Sequence, residues 1–144
     1  MRSILDNMAV RWLLNAQTLS GTTKSKLLDR AGYETAAILW SVGVDAALDG
    51  SNYWTPTVQE SDTTADADFT TVAAADLLYS PTVVDSVNED DVTQVIEYRG
   101  SKRYIRLLLT ETGTLSGPHA VIGLLGRPNG KVPLGSAAVG TTAT

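Results

Sequence analysis

Hydrophobic side chains alternate with polar or small ones along residues 35–44, where Ala36, Ile38, Trp40, Val42 and Val44 take the even positions. A period of two belongs to a β-strand and places Ile38, Trp40 and Val42 on one face of a sheet. Burying them is worth roughly 1.5–3 kcal/mol per large side chain. The period recurs downstream. Residues 53–60 carry Trp54 and Val58 on one face, and Pro56, which lacks a ladder donor, moves that strand toward a sheet edge. Residues 92–98 form a strand, and so do residues 103–110, with Ile105, Leu107 and Leu109 on one face and Tyr104, Arg106 and Leu108 on the other. Between them, Arg99-Gly100-Ser101-Lys102 has the composition of a hairpin turn. Residues 120–125 are apolar on both faces, as in a central strand, until Gly126-Arg127-Pro128-Asn129-Gly130 stops the run.

Shorter pieces fill the intervals. Leu27-Leu28 starts a short strand, followed by a turn at Arg30-Ala31-Gly32. Phe69-Thr70-Thr71-Val72 is a returning strand, and residues 73–79 form a helical turn or crossover with Leu77 and Leu78 inward. Turns fall at Ser20-Gly21, at Asp49-Gly50-Ser51-Asn52 and within residues 111–118, and acidic connections at 61–68 and 81–91. The N-terminus fits two descriptions. Ile4, Met8 and Trp12 recur at helical spacing, as do Ala9 and Leu13. An extended arm is the alternative, since a helix this short is marginal in isolation. In either form Trp12, Leu13 and Leu14 need cover from this domain or from a neighbouring subunit.

Short strands separated by turns every ten residues or so predict an all-β, single-domain β-sandwich of jelly-roll-like type, with six to eight antiparallel strands and extended termini. The expected division is an N-terminal arm or short helix over 1–16, the sandwich over 17–128, and a low-complexity Gly/Ala/Thr/Val-rich tail over 129–144.

Composition narrows the chemistry. A chain of 144 residues with 43% hydrophobic and 19% charged residues suits one domain with a real core. Cysteine is absent, which excludes disulfides and thiolate metal sites. The one histidine, His119, follows Pro118 at the start of a strand and has no identifiable partner, so it is expected at the surface or an edge. No apolar run approaches the ~18 residues of a membrane span, and Asp6 and Asn7 interrupt the N-terminal apolar stretch before a signal-peptide core can form. Nucleophile-elbow, phosphate-loop and dinucleotide motifs are missing. The expectation is a protein that is not an enzyme, with no catalytic residue, cofactor or metal. The loops carrying Asp62, Asp66 and Asp68, and Glu89, Asp90 and Asp91, lack the spacing of a calcium loop and are expected to be solvated. Trp40 and Trp54 could stack on a sugar, but their strand spacing assigns them to the core.

Charge is distributed in blocks. The net charge is -5. Residues 1–50 carry five acidic and five basic groups, residues 51–98 ten acidic and none basic, and residues 99–144 six basic and one acidic, Glu111. The overall acidity disfavours nucleic-acid binding. The sharpest feature is the cluster Arg99, Lys102, Arg103 and Arg106. Its partners are the acidic middle third of the same chain, an acidic surface on a neighbouring subunit, or a phosphate. With Trp12, these four are the candidate interaction residues.

Several segments resemble short virion proteins of tailed bacteriophages, encoded near the major capsid protein. They are Ile4-Leu5-Asp6-Asn7, Gly32-Tyr33-Glu34-Thr35-Ala36-Ala37, Val58-Gln59-Glu60-Ser61-Asp62, the run from Phe69 to Leu78, and Thr110-Glu111-Thr112-Gly113-Thr114. The most distinctive is Tyr98-Arg99-Gly100-Ser101-Lys102-Arg103-Tyr104-Ile105-Arg106-Leu107, and the last is Leu124-Leu125-Gly126-Arg127-Pro128. The resemblance implies a capsid decoration or cement protein on the outer capsid surface, bound to the major capsid protein and homo-oligomeric with a homotrimer favoured; the charge and the lack of an apolar span add the expectation of no nucleic-acid or membrane partner. Head–tail and tail structural roles stay open. The stretch from Lys102 to Leu107 also resembles strands of discoidin-like jelly rolls, which implies as alternative a glycan-binding module for host adsorption.

Overall fold

The computed structural model describes Ile4 and residues 7–129. It is all-β: β1 (Met8–Leu19), β2 (Thr23–Lys24), β3 (Leu28–Asp29), β4 (Tyr33–Val42), β5 (Tyr53–Ser61), β6 (Thr70–Thr71), β7 (Leu77–Leu78), β8 (Val92–Tyr98), β9 (Tyr104–Thr112) and β10 (Gly117–Pro128). The first sheet has the order β1-β10-β4-β8-β7; the second has β2-β9-β5-β6, with β3 also on β9. All pairings are antiparallel. The architecture is consistent with the expected β-sandwich. Six strands have seven or more residues, and four have two each.

The inner faces follow the sequence periodicity. Ile38, Trp40 and Val42 from β4 are buried against Trp54 and Val58 from β5 and Ile105, Leu107 and Leu109 from β9. As expected for a central strand, β10 lies between β1 and β4. Its inner-face Gly123 has no side chain because none would fit: a Cβ there would lie 2.7 Å from one Leu28 methyl and 3.2 Å from Leu13. Pro56 lies not on an edge strand but on β5, between β9 and the two-residue edge strand β6. Its neighbours of like parity, Trp54 and Val58, turn their backbone away from β9 to bond Val84 and Val72. The missing N–H of Pro56 therefore faces the side of β5 that β6 leaves uncovered, since β6 pairs only with Gln59 and Glu60.

Three further expectations are corrected. The N-terminal segment from Met8 onward is extended, not helical, and belongs to the sandwich: β1 pairs with β10 from Met8↔Gly126 to Leu19↔Gly117. Register shifts between Trp12 and Leu14 and between Leu14 and Gln17 break strict alternation, so Leu13 and Leu14 are both buried while Trp12 is exposed. That irregularity mimics helical spacing in the sequence. Secondly, residues 99–102 are not a hairpin turn. Strand β8 pairs with β4 and β9 with β5, so the connection crosses from one sheet to the other. Thirdly, His119 is not at the surface. It shares the inward parity of Val121 and Leu125 and is 2% exposed. Residues 130–144, most of the expected tail, lie outside the described residues.

Candidate interaction surface

The outer faces of the two sheets differ in chemistry. On the first sheet, Trp12, Ile122, Leu39 and Val95 stand in register across β1, β10, β4 and β8. The adjacent row is Val10, Leu124, Ala37 and Glu97. Seven of these eight side chains are apolar. Trp12 and Val95 are 41% and 49% exposed, and Tyr79, which lines a groove with Val95, is 69% exposed. Tyr79 also adopts a left-handed backbone, φ 59°, which is uncommon for a bulky residue. The groove, of about 610 Å³, runs along this face, lined by Met8, Ala37, Tyr79, Val95, Glu97 and Leu124 among others. The second sheet instead turns a mainly polar set outward, Thr55, Thr57 and Gln59 on β5 in register with Thr110, Leu108 and Arg106 on β9.

The basic cluster is largely neutralised within the chain. Lys102 Nζ donates to Asp62 Oδ2 at 2.6 Å. Arg103 holds Asp29 with two parallel bonds, Nε and Nη2 each donating at 2.9 Å, and its guanidinium lies over the Tyr104 ring. Arg106 points outward from β9 yet is 5% exposed, because residues 66–69 fold over it. Its Nη1 donates to Asp66, its Nε donates to Gln59 Oε1 at 2.8 Å, and its guanidinium lies 4.0 Å from the Phe69 ring centre. Lys24 also donates to Asp66, at 2.8 Å. Arg99 is exposed; its backbone N–H donates to Asp76, and no ion pair engages it among the described residues. These contacts hold the Asp29, Asp62 and Asp66 carboxyls below their usual range, chiefly through the side-chain bonds from Arg103, Lys102 and Lys24, and they raise Lys102 and Arg103. Of the three readings of this cluster, pairing with acids of the same chain is what the geometry contains.

A residue without any sequence signal organises the crossing between sheets. Arg30 Nη1 donates to the Gly100 and Lys102 carbonyls at 3.0 and 2.6 Å, and its guanidinium lies 4.7 Å from the Tyr98 ring centre. Tyr98 Oη donates to Glu60 and accepts from Lys102 N–H. Burial first, then the Glu60 bond, pushes the Tyr98 phenol well above its usual value.

Acidic side chains expected to be solvated also serve the fold. Asp90 Oδ2 accepts from Asp45 N–H at 3.1 Å, and Glu89 Oε2 from Asp85 N–H at 3.2 Å. Among the described residues, no group of three or more His, Cys, Asp or Glu side chains is placed to hold a metal ion. No helix among them is long and apolar enough to cross a membrane. No protein-family model matches the chain, and no curated protein matches it.

Of the five candidate residues, the apolar face takes in Trp12. The other four lie together at the cross-sheet connection and the strand leaving it, and Lys102, Arg103 and Arg106 are paired with their own chain's acids. The row Ile122, Leu39 and Val95 beside Trp12 was missed. Its signal was the second, outward apolar parity of residues 120–125, which marks a central strand and equally an apolar outer face.

Proposed function

We propose that this chain is a structural virion protein that decorates and stabilises a phage capsid, seating the apolar outer face of its first sheet on the major capsid protein lattice. The resemblance suggests the capsid, the outer-surface location and the homotrimer. The observation that carries attachment is the double row Trp12-Ile122-Leu39-Val95 and Val10-Leu124-Ala37. A contiguous, partly exposed apolar face of this kind marks an interaction surface rather than a solvated one. With Lys102, Arg103 and Arg106 already paired, the expected basic interface gives way to an apolar one. The glycan-binding alternative rests on Tyr79, held exposed in a left-handed conformation at the rim of the groove. Trp40 and Trp54, both fully buried, cannot serve it.

The test is cryo-EM and quantitative mass spectrometry of purified particles carrying wild-type protein or the double variant Trp12→Asp, Val95→Asp. Wild-type density at symmetry-related outer sites, lost in the variant while its circular dichroism is unchanged, is the expected result. Absence of the wild-type protein from particles overturns the capsid reading. Equal occupancy of the variant overturns the docking face.

A further inference from the structure

Three side chains of the interior each bury a polar atom that has no hydrogen-bond partner among the described residues: Asp45 Oδ2, Trp54 Nε1 and His119 Nε2. Asp45, Trp54 and His119 are 4%, 0% and 2% exposed. The Trp54 ring meets the imidazole edge-on, with centroids 4.7 Å apart. The Asp45 carboxylate is near enough to act on the imidazole electrostatically. Because Trp40 Nε1–H donates to His119 Nδ1 at 3.1 Å, the neutral ring carries its proton on Nε2. The interior therefore contains two N–H donors and one carboxylate oxygen, none within bonding reach of another. Asp45 is only half satisfied, its Oδ1 accepting from Ala47 N–H at 3.1 Å. Buried polar atoms of this kind are satisfied by protein or by ordered water.

We propose that Asp45, Trp54 and His119 form an internal hydration site holding one water, which accepts from Trp54 Nε1–H and His119 Nε2–H and donates to Asp45 Oδ2. The donor set selects the occupant. Two N–H groups repel a cation, and the carboxylate repels an anion; water alone offers both lone pairs and protons. Gly117 lets β10 pass close to the carboxylate, since a Cβ there would lie 2.7 Å from Asp45 Oδ2. The site joins the loop after β4 to β5 of the second sheet and β10 of the first. It is therefore a polar tie between the sheets at this end of the sandwich.

The test is water-edited NMR of the ¹⁵N-labelled protein. Nuclear Overhauser cross-peaks from both Trp54 Hε1 and His119 Hε2 to a long-lived water are expected, with ordered density between the three atoms in a high-resolution crystal structure. Gly117→Ala, if folded, should weaken both cross-peaks by crowding the carboxylate. Absence of either cross-peak in the wild-type protein, or a direct His119 Nε2–Asp45 Oδ2 bond in the crystal, overturns the proposal without reference to any variant.

Discussion

Trp40 donates its indole N–H to Nδ1 of His119 across 3.1 Å, with the two rings nearly parallel at 8°. The bond occupies the lone pair that a second ring proton would need. Protonation must break it and place a charge in the interior between two tryptophans.

Burial accordingly pushes the His119 pKa from 6.5 down to about 4, with Asp45 opposing in part. An unfolded chain binds this proton below pH 6.5, whereas the folded chain resists it until about 4. The contribution is therefore fully present above 6.5 and is lost as pH falls through the folded value. Between about pH 7 and pH 5 the expected loss is about 2 kcal/mol. Urea unfolding at the two pH values measures it. His119→Gln, which keeps an acceptor for Trp40, should be less stable at neutral pH but show a flatter pH dependence. An unchanged slope in that variant would place the acid sensitivity elsewhere.

Arg106 and its neighbours separate a buried cation from exposed ones. The Arg106 side chain is 7% exposed, against 43% for Lys102 and 52% for Arg103. Arg106→Ala removes a desolvated ring contact and the bonds to Gln59 and Asp66, and should cost about 2–3 kcal/mol. Lys102→Ala breaks only a solvent-screened pair, so its unfolding midpoint should stay near wild type. Thermal or urea denaturation of the two variants side by side checks the contrast. Equal effects would count against it.

What was legible in the sequence was the inward parity of the long strands. Ile38, Trp40 and Val42, and Ile105, Leu107 and Leu109, point inward because period two leaves little choice. Turn composition at Arg99-Gly100-Ser101-Lys102 reported a chain reversal but not which sheet receives the next strand; that depends on pairing with β4 and β5, more than forty residues away in sequence for every pair. The basic cluster was visible as charge. The acidic middle third that supplies Asp62 and Asp66 was one of its three expected partners, but the choice among them, and Asp29 from outside that block, depended on the sandwich closure. His119 was misplaced by its polarity, although its spacing from Val121 and Leu125 matched the core.

Tryptophans 12 and 54 make opposite expectations for one chemical change. Trp54 is fully buried, and Trp54→Ala should cost about 3–5 kcal/mol. Trp12 is 41% exposed on the outer face, and Trp12→Ala should change stability by less than about 1 kcal/mol. Denaturant midpoints give the comparison, and tryptophan fluorescence assigns it: the loss of Trp12 should remove the more readily quenched emission. A large destabilisation on removing Trp12 would mean that its face is packed within the monomer.

Gly123 and Leu28 meet across the two sheets, where a Cβ at position 123 would lie 2.7 and 3.0 Å from the Leu28 methyls. Leu28 is 0% exposed and cannot swing into solvent. Gly123→Ala should therefore destabilise by about 1–3 kcal/mol through overpacking, even though glycine is a poor strand former and alanine would otherwise help. Leu28→Ala alone should cost about 2–5 kcal/mol by leaving a cavity. In the double variant the new methyl enters space that Leu28 vacated, so the two losses should sum to more than the measured total. A double-mutant cycle by urea denaturation tests this coupling. Strict additivity would show that the sheets relax apart at this point instead of holding the methyl groups in contact.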